Sequence, residues 1–197
     1  MKKTTIAALV WLLAGAGCAG ADRPAVRYAS GAPQSGDDNV DLARCYAEDQ
    51  ADRLPPDGTA IDWTLVMPRD KAREQQVKAL YCSGALHTAA DFHHAAMILQ
   101  HADAPDDYLL AHELCVVAIA KGDASALWLC AASEDRFLGS IERPQRFGTQ
   151  YVQHGPDGPL RLAPVAAGVT DGLREQFRVP GLQLARNMEE QLNAAGK

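Results

Sequence analysis

The residues of this chain whose types could do chemistry are six histidines, one acid on an apolar helical stripe, its basic neighbour, and five cysteines. The histidines are His87, His93, His94, His101, His112 and His154. A zinc site wants histidines at i and i+4, or from facing elements, usually with a carboxylate. His94 and His101 stand two turns apart, about 10.5 Å of helical rise, too far for one ion. His93 and His94 point about 100° apart on a helix. His112-Glu113 is followed by Val116, not by a second histidine four residues on, so there is no HExxH. No metal ligand set and no cofactor are expected. No Ser or Cys sits in a nucleophile motif, and both GxSxG and a phosphate loop are absent.

Asp135 is more informative. Trp128, Ala131, Ala132, Asp135 and Leu138 fall on one stripe at helical spacing. An acid on an apolar stripe is expensive unless it is paired. Its partner is expected to be Arg143, Arg146 or the backbone of Phe147–Gln150, which would tie a hairpin to the helix. The functional alternative is a carboxylate at the floor of a cleft. Arg136 would then grip an anion bidentately, with Gln100, Gln145, Thr149 and Gln150 as ligand-binding donors and acceptors. Gly148 would allow close backbone approach. An enzyme built from these residues would be a hydrolase or transferase, with His101 as acid/base, Asp135 orienting it and Arg136 holding a charged group.

These side chains need elements to position them, and the sequence predicts mostly helices. Val40 to about Arg53 follows Asp37 and Asp38, and Leu54-Pro55-Pro56-Asp57-Gly58 stops it. Pro68 is expected to open a second helix at its first turn, ending near Gly84. Thr88 with Asp91 forms a capping box for a third helix, Ala89 to about His101. Pro105 with Asp106 and Asp107 begins a fourth, which Gly122 ends. Asp123 caps a fifth, from Ala124 to about Leu138. Arg146–Gln153 and Leu160–Leu162 carry strand signals around the dense turn chemistry of residues 154–159. Asp171–Phe177 and Leu182 to about Leu192 are two last helices. The fold class is therefore mainly α: antiparallel helix hairpins in a solenoid-like manner, with a small late β-hairpin near 146–163. No fixed period persists beyond two helix pairs, so this is not a repeat array.

Gln100-His101, Asp135-Arg136 and Gln145-x-Phe147-Gly148-Thr149-Gln150 together resemble an uncharacterised bacterial domain family. Its pattern is Gln-His, Asp-Arg, Gln-x-(Tyr/Phe)-Gly-Thr-Gln. The resemblance spans roughly residues 70–182, including Pro164-Val165 and the Arg174…Gly181-Leu182 segment. It implies a helical domain with these polar residues gathered in one place. It carries no activity.

The N-terminus reads as an address. Residues 1–17 join Lys2-Lys3 to an apolar stretch of about a dozen residues, a secretory signal too short to span a bilayer comfortably. Cys18 follows Gly-Ala-Gly, which resembles a bacterial lipobox, although Leu13 stands two places early. Acylation of Cys18 would anchor the chain in a membrane, and Ala19 after it favours the periplasmic face of the outer membrane. The rival is cleavage after Ala19-Gly20-Ala21 into the soluble periplasm. Residues 18–36 read as a flexible Gly/Pro/Ser tether and 37–197 as one helical domain. In that oxidising compartment the remaining Cys45, Cys82, Cys115 and Cys130 invite two disulfides, with Cys115–Cys130 and Cys45–Cys82 preferred. The alternative is four buried free thiols.

Composition narrows the function. Removing residues 1–17 takes 2 of the 19 basic side chains and none of the 25 acids, leaving 17 against 25, a net charge of −8. No basic run exceeds two residues, so a nucleic-acid partner is not expected. Of the 47% hydrophobic residues, 35 are alanines, which suit closely packed helices more than a thick sandwich. The expected protein is an exported envelope lipoprotein with a binding domain for an envelope protein, peptide or glycan. The periplasmic hydrolase or transferase is the alternative.

Overall fold

The computed structural model describes residues 36–55, 58–153, 155 and 158–195. The expected export segment, Cys18, all but the last residue of the tether, and His154 lie outside the described residues. Five helices come first: α1 (Val40–Arg53), α2 (Trp63–Cys82), α3 (Ala89–Leu99), α4 (Pro105–Ala120) and α5 (Leu127–Ser140). A hairpin follows, β1 (Tyr151–Gln153) and β2 (Leu160–Leu162), then α6 (Asp171–Gln176) and α7 (Leu182–Ala195). The protein is thus mainly helical with a small late hairpin, as its periodicity predicts. No helix among the described residues is long and apolar enough to cross a membrane.

The caps explain most boundaries. Asn39 caps α1, its side chain accepting from the Leu42 N–H. Thr88 and Asp91 form the expected capping box on α3. The buried Asp91 carboxylate also accepts the backbone N–H groups of Asn39 and His87, at 2.7 and 2.9 Å, so one acid fastens the starts of both α1 and α3. Helix α2 corrects the sequence reading. It begins at Trp63, capped by Asp62, and Pro68 lies inside it. Asp62 accepts both the Thr64 backbone N–H (3.0 Å) and its hydroxyl (2.6 Å), which starts the helix before the proline. Residues 124–126 form a 3-10 turn, so α5 starts three residues later than expected.

Alanine sets the packing. Helices α3, α4 and α5 lie side by side, and Ala95, Ala96, Ala111, Ala118, Ala126, Ala131 and Ala132 are all fully buried. Small side chains let these backbones approach, while Leu42, Val77, Met97, Leu99, Leu114 and Leu129 fill the remaining space. A second, smaller core joins the C-terminal part: Ala131 of α5 meets Phe147 and Val179. Phe147 and Phe177 pack tilted, ring centres 4.9 Å apart.

The hairpin is shorter than predicted, with register Tyr151↔Leu162 and Gln153↔Leu160. Residues 146–150 are a loop, not strand. The outer edge of β2 is covered by α7: Asn193 accepts from Leu160 N–H and donates to its carbonyl, and Glu189 accepts from Leu162 N–H. An edge capped by side chains cannot template further pairing.

The two expected disulfides are absent: Cys45, Cys82, Cys115 and Cys130 are free thiols. Cys115 and Cys130 do lie on packed neighbouring helices, as the hairpin predicts, but Cys130 Sγ is engaged 3.5 Å from His112 Nδ1. Burial pushes the Cys130 thiol up to about 11 and that of Cys115 further. Such thiols are poor nucleophiles at neutral pH. Cys45 is buried in the core, whereas Cys82 is exposed at the end of α2.

Candidate functional site

Asp135 is fully buried, and its carboxylate is saturated. Oδ1 accepts the backbone N–H groups of Arg146 (2.6 Å) and Phe147 (2.9 Å). Oδ2 accepts the N–H of Thr149 (3.0 Å) and its hydroxyl (2.8 Å). Gly148 makes this possible: its φ of +85° turns the chain so that the flanking N–H groups converge. Converging backbone N–H groups form an anion-binding nest. Here the anion is the protein's own Asp135.

The neighbouring polar residues complete the same knot. Gln145 is buried, donates to the carbonyls of Gln150 (2.9 Å) and Ala163 (2.8 Å), and accepts the Gln150 N–H (2.8 Å). Gln150 donates to Thr149 Oγ1 at 2.9 Å. Arg174 closes the loop from the other side. It donates to the carbonyls of Phe147 (3.0 Å), Arg146 (3.1 Å) and Val169 (2.6 Å). Asp135, Gln145, Thr149 and Gln150 therefore spend their hydrogen bonds on holding the 145–150 loop. Both Asp135 oxygens are taken by the loop, and among the described residues no hydrogen bond or ion pair joins Asp135 to His101, so the expected pairing of these two is not formed. Gln100 is likewise buried, with its amide on Met97 Sδ.

His101 and Arg136 belong to a different assembly. Arg53 at the end of α1 pairs with Asp49 (2.7 Å) and with Asp70 of α2 (2.6 Å). Arg73 pairs with Asp70 (2.6 Å) and Asp52 (2.9 Å), and Arg69 covers Asp52 from outside at 2.6 Å. The sequence carried this signal: Asp49-x-x-Asp52-Arg53 on α1 holds two acids and one base, and Arg69-Asp70-x-x-Arg73 on α2 holds two bases and one acid. Across the outer side of the network runs a groove of about 470 Å³ lined by Glu48, Asp52, Arg69, Arg73 and Gln76.

His101 caps this network from the end of α3. Its side chain is 9% exposed, and Nε2 stands 3.7 Å from Asp49 Oδ2, just beyond hydrogen-bond range. Nε2 is buried without a hydrogen-bond partner. Burial first, then the guanidinium groups of Arg53, Arg136 and Arg73, hold His101 well below the usual histidine range, so it is neutral. Burial also raises Asp49 to about 6, despite the opposing pull of Arg53.

Arg136 is half-buried on α5, one residue from Asp135. Its Nε is sealed from solvent with no hydrogen-bond partner. Burial lowers its affinity for the proton. The titratable groups that reach it are the Tyr108 hydroxyl, which burial keeps protonated, and Arg53, a second cation. Among the described residues no carboxylate pairs with it. Arg53 and Arg73 also leave Nε unpartnered, but both have carboxylates at their Nη groups. Arg136 alone of these three lacks an acid.

A third cluster looks more chemical than it is. His93 Nδ1 lies 2.8 Å from Asp123 Oδ2 and 3.2 Å from Ser125 Oγ, and Tyr46 stacks on His94 at 4.1 Å. A proton relay needs the acid and the hydroxyl on opposite ring nitrogens. Here both meet the same nitrogen, and the Ser125 hydroxyl is bonded to Asp123. Among the described residues no group of three or more His, Cys, Asp or Glu could hold a metal ion. No family model, curated protein or solved structure matches the chain.

Proposed function

We propose that the protein is an exported cell-envelope lipoprotein, anchored through Cys18, whose helical domain is a binding module centred on Arg136 rather than on the 145–150 loop. The observation that supports the binding centre is the half-buried Arg136 guanidinium without a counter-charge, beside the neutral His101, whose Nε2 also makes no hydrogen bond. A desolvated guanidinium is costly in the empty protein and strongly attractive to an anion. The catalytic alternative has lost its orienting acid, because Asp135 is committed to backbone N–H groups.

The test uses the full tagged chain expressed in an envelope-bearing bacterium. Wild type should carry an acyl mass at Cys18, fractionate with membranes and cross-link to an envelope component. Cys18→Ser should lose the acyl mass and become soluble. Arg136→Gln should stay in the membrane and lose the cross-link. An unmodified, soluble wild type removes the anchor, and an unchanged cross-link in R136Q removes Arg136 as the centre.

A further inference from the structure

Three other clusters have their groups engaged or hard to ionise. The Cys115 and Cys130 thiols are buried and hard to ionise, the His93 cluster is closed on itself, and the groove over α1 and α2 has Arg69 and Arg73 already paired. The Arg136 corner differs, because its donors are in place and its acceptor is missing.

The topology brings four helix ends together there. Arg53 ends α1, His101 follows α3, Tyr108 lies in the first turns of α4, and Arg136 lies one turn from the end of α5. The C-terminal ends of α1, α3 and α5 carry partial negative charge, which favours cations. That field offsets charge but gives the guanidinium no acceptor for its N–H groups.

The ion pairs of Arg53, Arg69 and Arg73 with Asp49, Asp52 and Asp70 do not extend to Arg136. His101 is neutral and supplies no acid. A planar guanidinium matches the two oxygens of a carboxylate edge to edge.

We infer that the half-buried Arg136 guanidinium is the receptor for one carboxylate group of a ligand, with His101 and Tyr108 flanking it. This rests on the reading of Arg136 as the binding centre. The carboxylate could come from a small organic acid or from the C-terminus of a peptide.

The experiment follows the Arg136 Nε–H signal of the ¹⁵N-labelled full chain in detergent by NMR. The probes are acetate, N-acetyl-Ala-Ala with a free C-terminus, the same dipeptide as its amide, phosphate and sulfate. The expected result is a saturable shift with acetate, with the free-acid dipeptide or with both, and none with the amide. Acetate alone assigns a small acid, and the dipeptide binding more tightly assigns a chain end. Arg136→Gln should weaken binding by about tenfold or more without lowering the melting temperature, and Arg136→Lys should recover part of the binding. No saturable shift with either free acid, an equal shift with the amide, or tighter binding of phosphate or sulfate overturns the assignment. If R136Q loses the envelope cross-link yet neither free acid binds, only the carboxylate class falls. If R136Q keeps the cross-link, the binding centre falls with it.

Discussion

Asp135 and Arg136 are neighbours in the chain and opposites in the structure. The acid is fully buried and accepts three backbone N–H groups and a hydroxyl. The base, about 100° further round the helix, is only half-buried, yet it finds no acceptor among the described residues. A polar group buried with all its bonds made belongs to the fold. One buried with its bonds unmade is a cost that a ligand can relieve. Arg174 sharpens the contrast, being an arginine on the Asp135 side with three carbonyls and Asp171 around it.

The largest effect is expected from Asp135→Ala. It strands the N–H groups of Arg146, Phe147 and Thr149, and should cost about 3–5 kcal/mol in a urea melt. A loss under 1 kcal/mol would dissolve the distinction between the two residues. Arg174→Ala comes next. It leaves the carbonyls of Phe147, Arg146 and Val169 without this donor and should cost about 2–4 kcal/mol by the same measurement.

A smaller effect separates the sides through pH. His101 has a folded pKa below its unfolded value of about 6.5. The unfolded chain therefore takes up more protons, and the stability His101 contributes is full above pH 6.5 and lost as pH falls. Asp49 works in reverse. Its folded value is raised to about 6, so its share is full below the unfolded value and lost as pH rises toward 6. His101→Asn removes only the first term. Between pH 7 and 5 wild type should lose stability relative to H101N, read as melting temperatures at each pH. A difference that stays constant across that range would mean His101 is not held neutral by its surroundings.

How much of this was legible beforehand varies with the kind of interaction. Helix α1 and the capping box at Thr88 and Asp91 follow from local chemistry, and the structure has them as the spacing predicts. The Asp135 stripe called for a partner, and the backbone of Phe147–Gln150 was among those expected; Phe147 and Thr149 supply it, and the Arg146 N–H joins them. What periodicity could not supply was the direction of the loop. A Gly-Thr-Gln turn looks the same whether its N–H groups face a ligand or an internal carboxylate. The start of α2 was missed because Pro68 resembles a first-turn proline, while the cap at Asp62 lay six residues upstream. The ion network was written in the charge-rich Asp49-x-x-Asp52-Arg53 and Arg69-Asp70-x-x-Arg73 runs. Only the pairing of α1 with α2 brings them together.

The smallest expected change is the most telling. Arg136→Gln and Asp135→Asn differ by one position on one helix, and their urea melts can be run side by side. Asp135→Asn, which replaces an acceptor oxygen with a donor, should lose about 2 kcal/mol or more. Arg136→Gln should lose nothing and gain up to about 1 kcal/mol, because it removes a desolvated charge that no carboxylate pairs. Comparable losses in both variants would contradict the account, since Arg136 would then be holding the fold and not waiting for an anion.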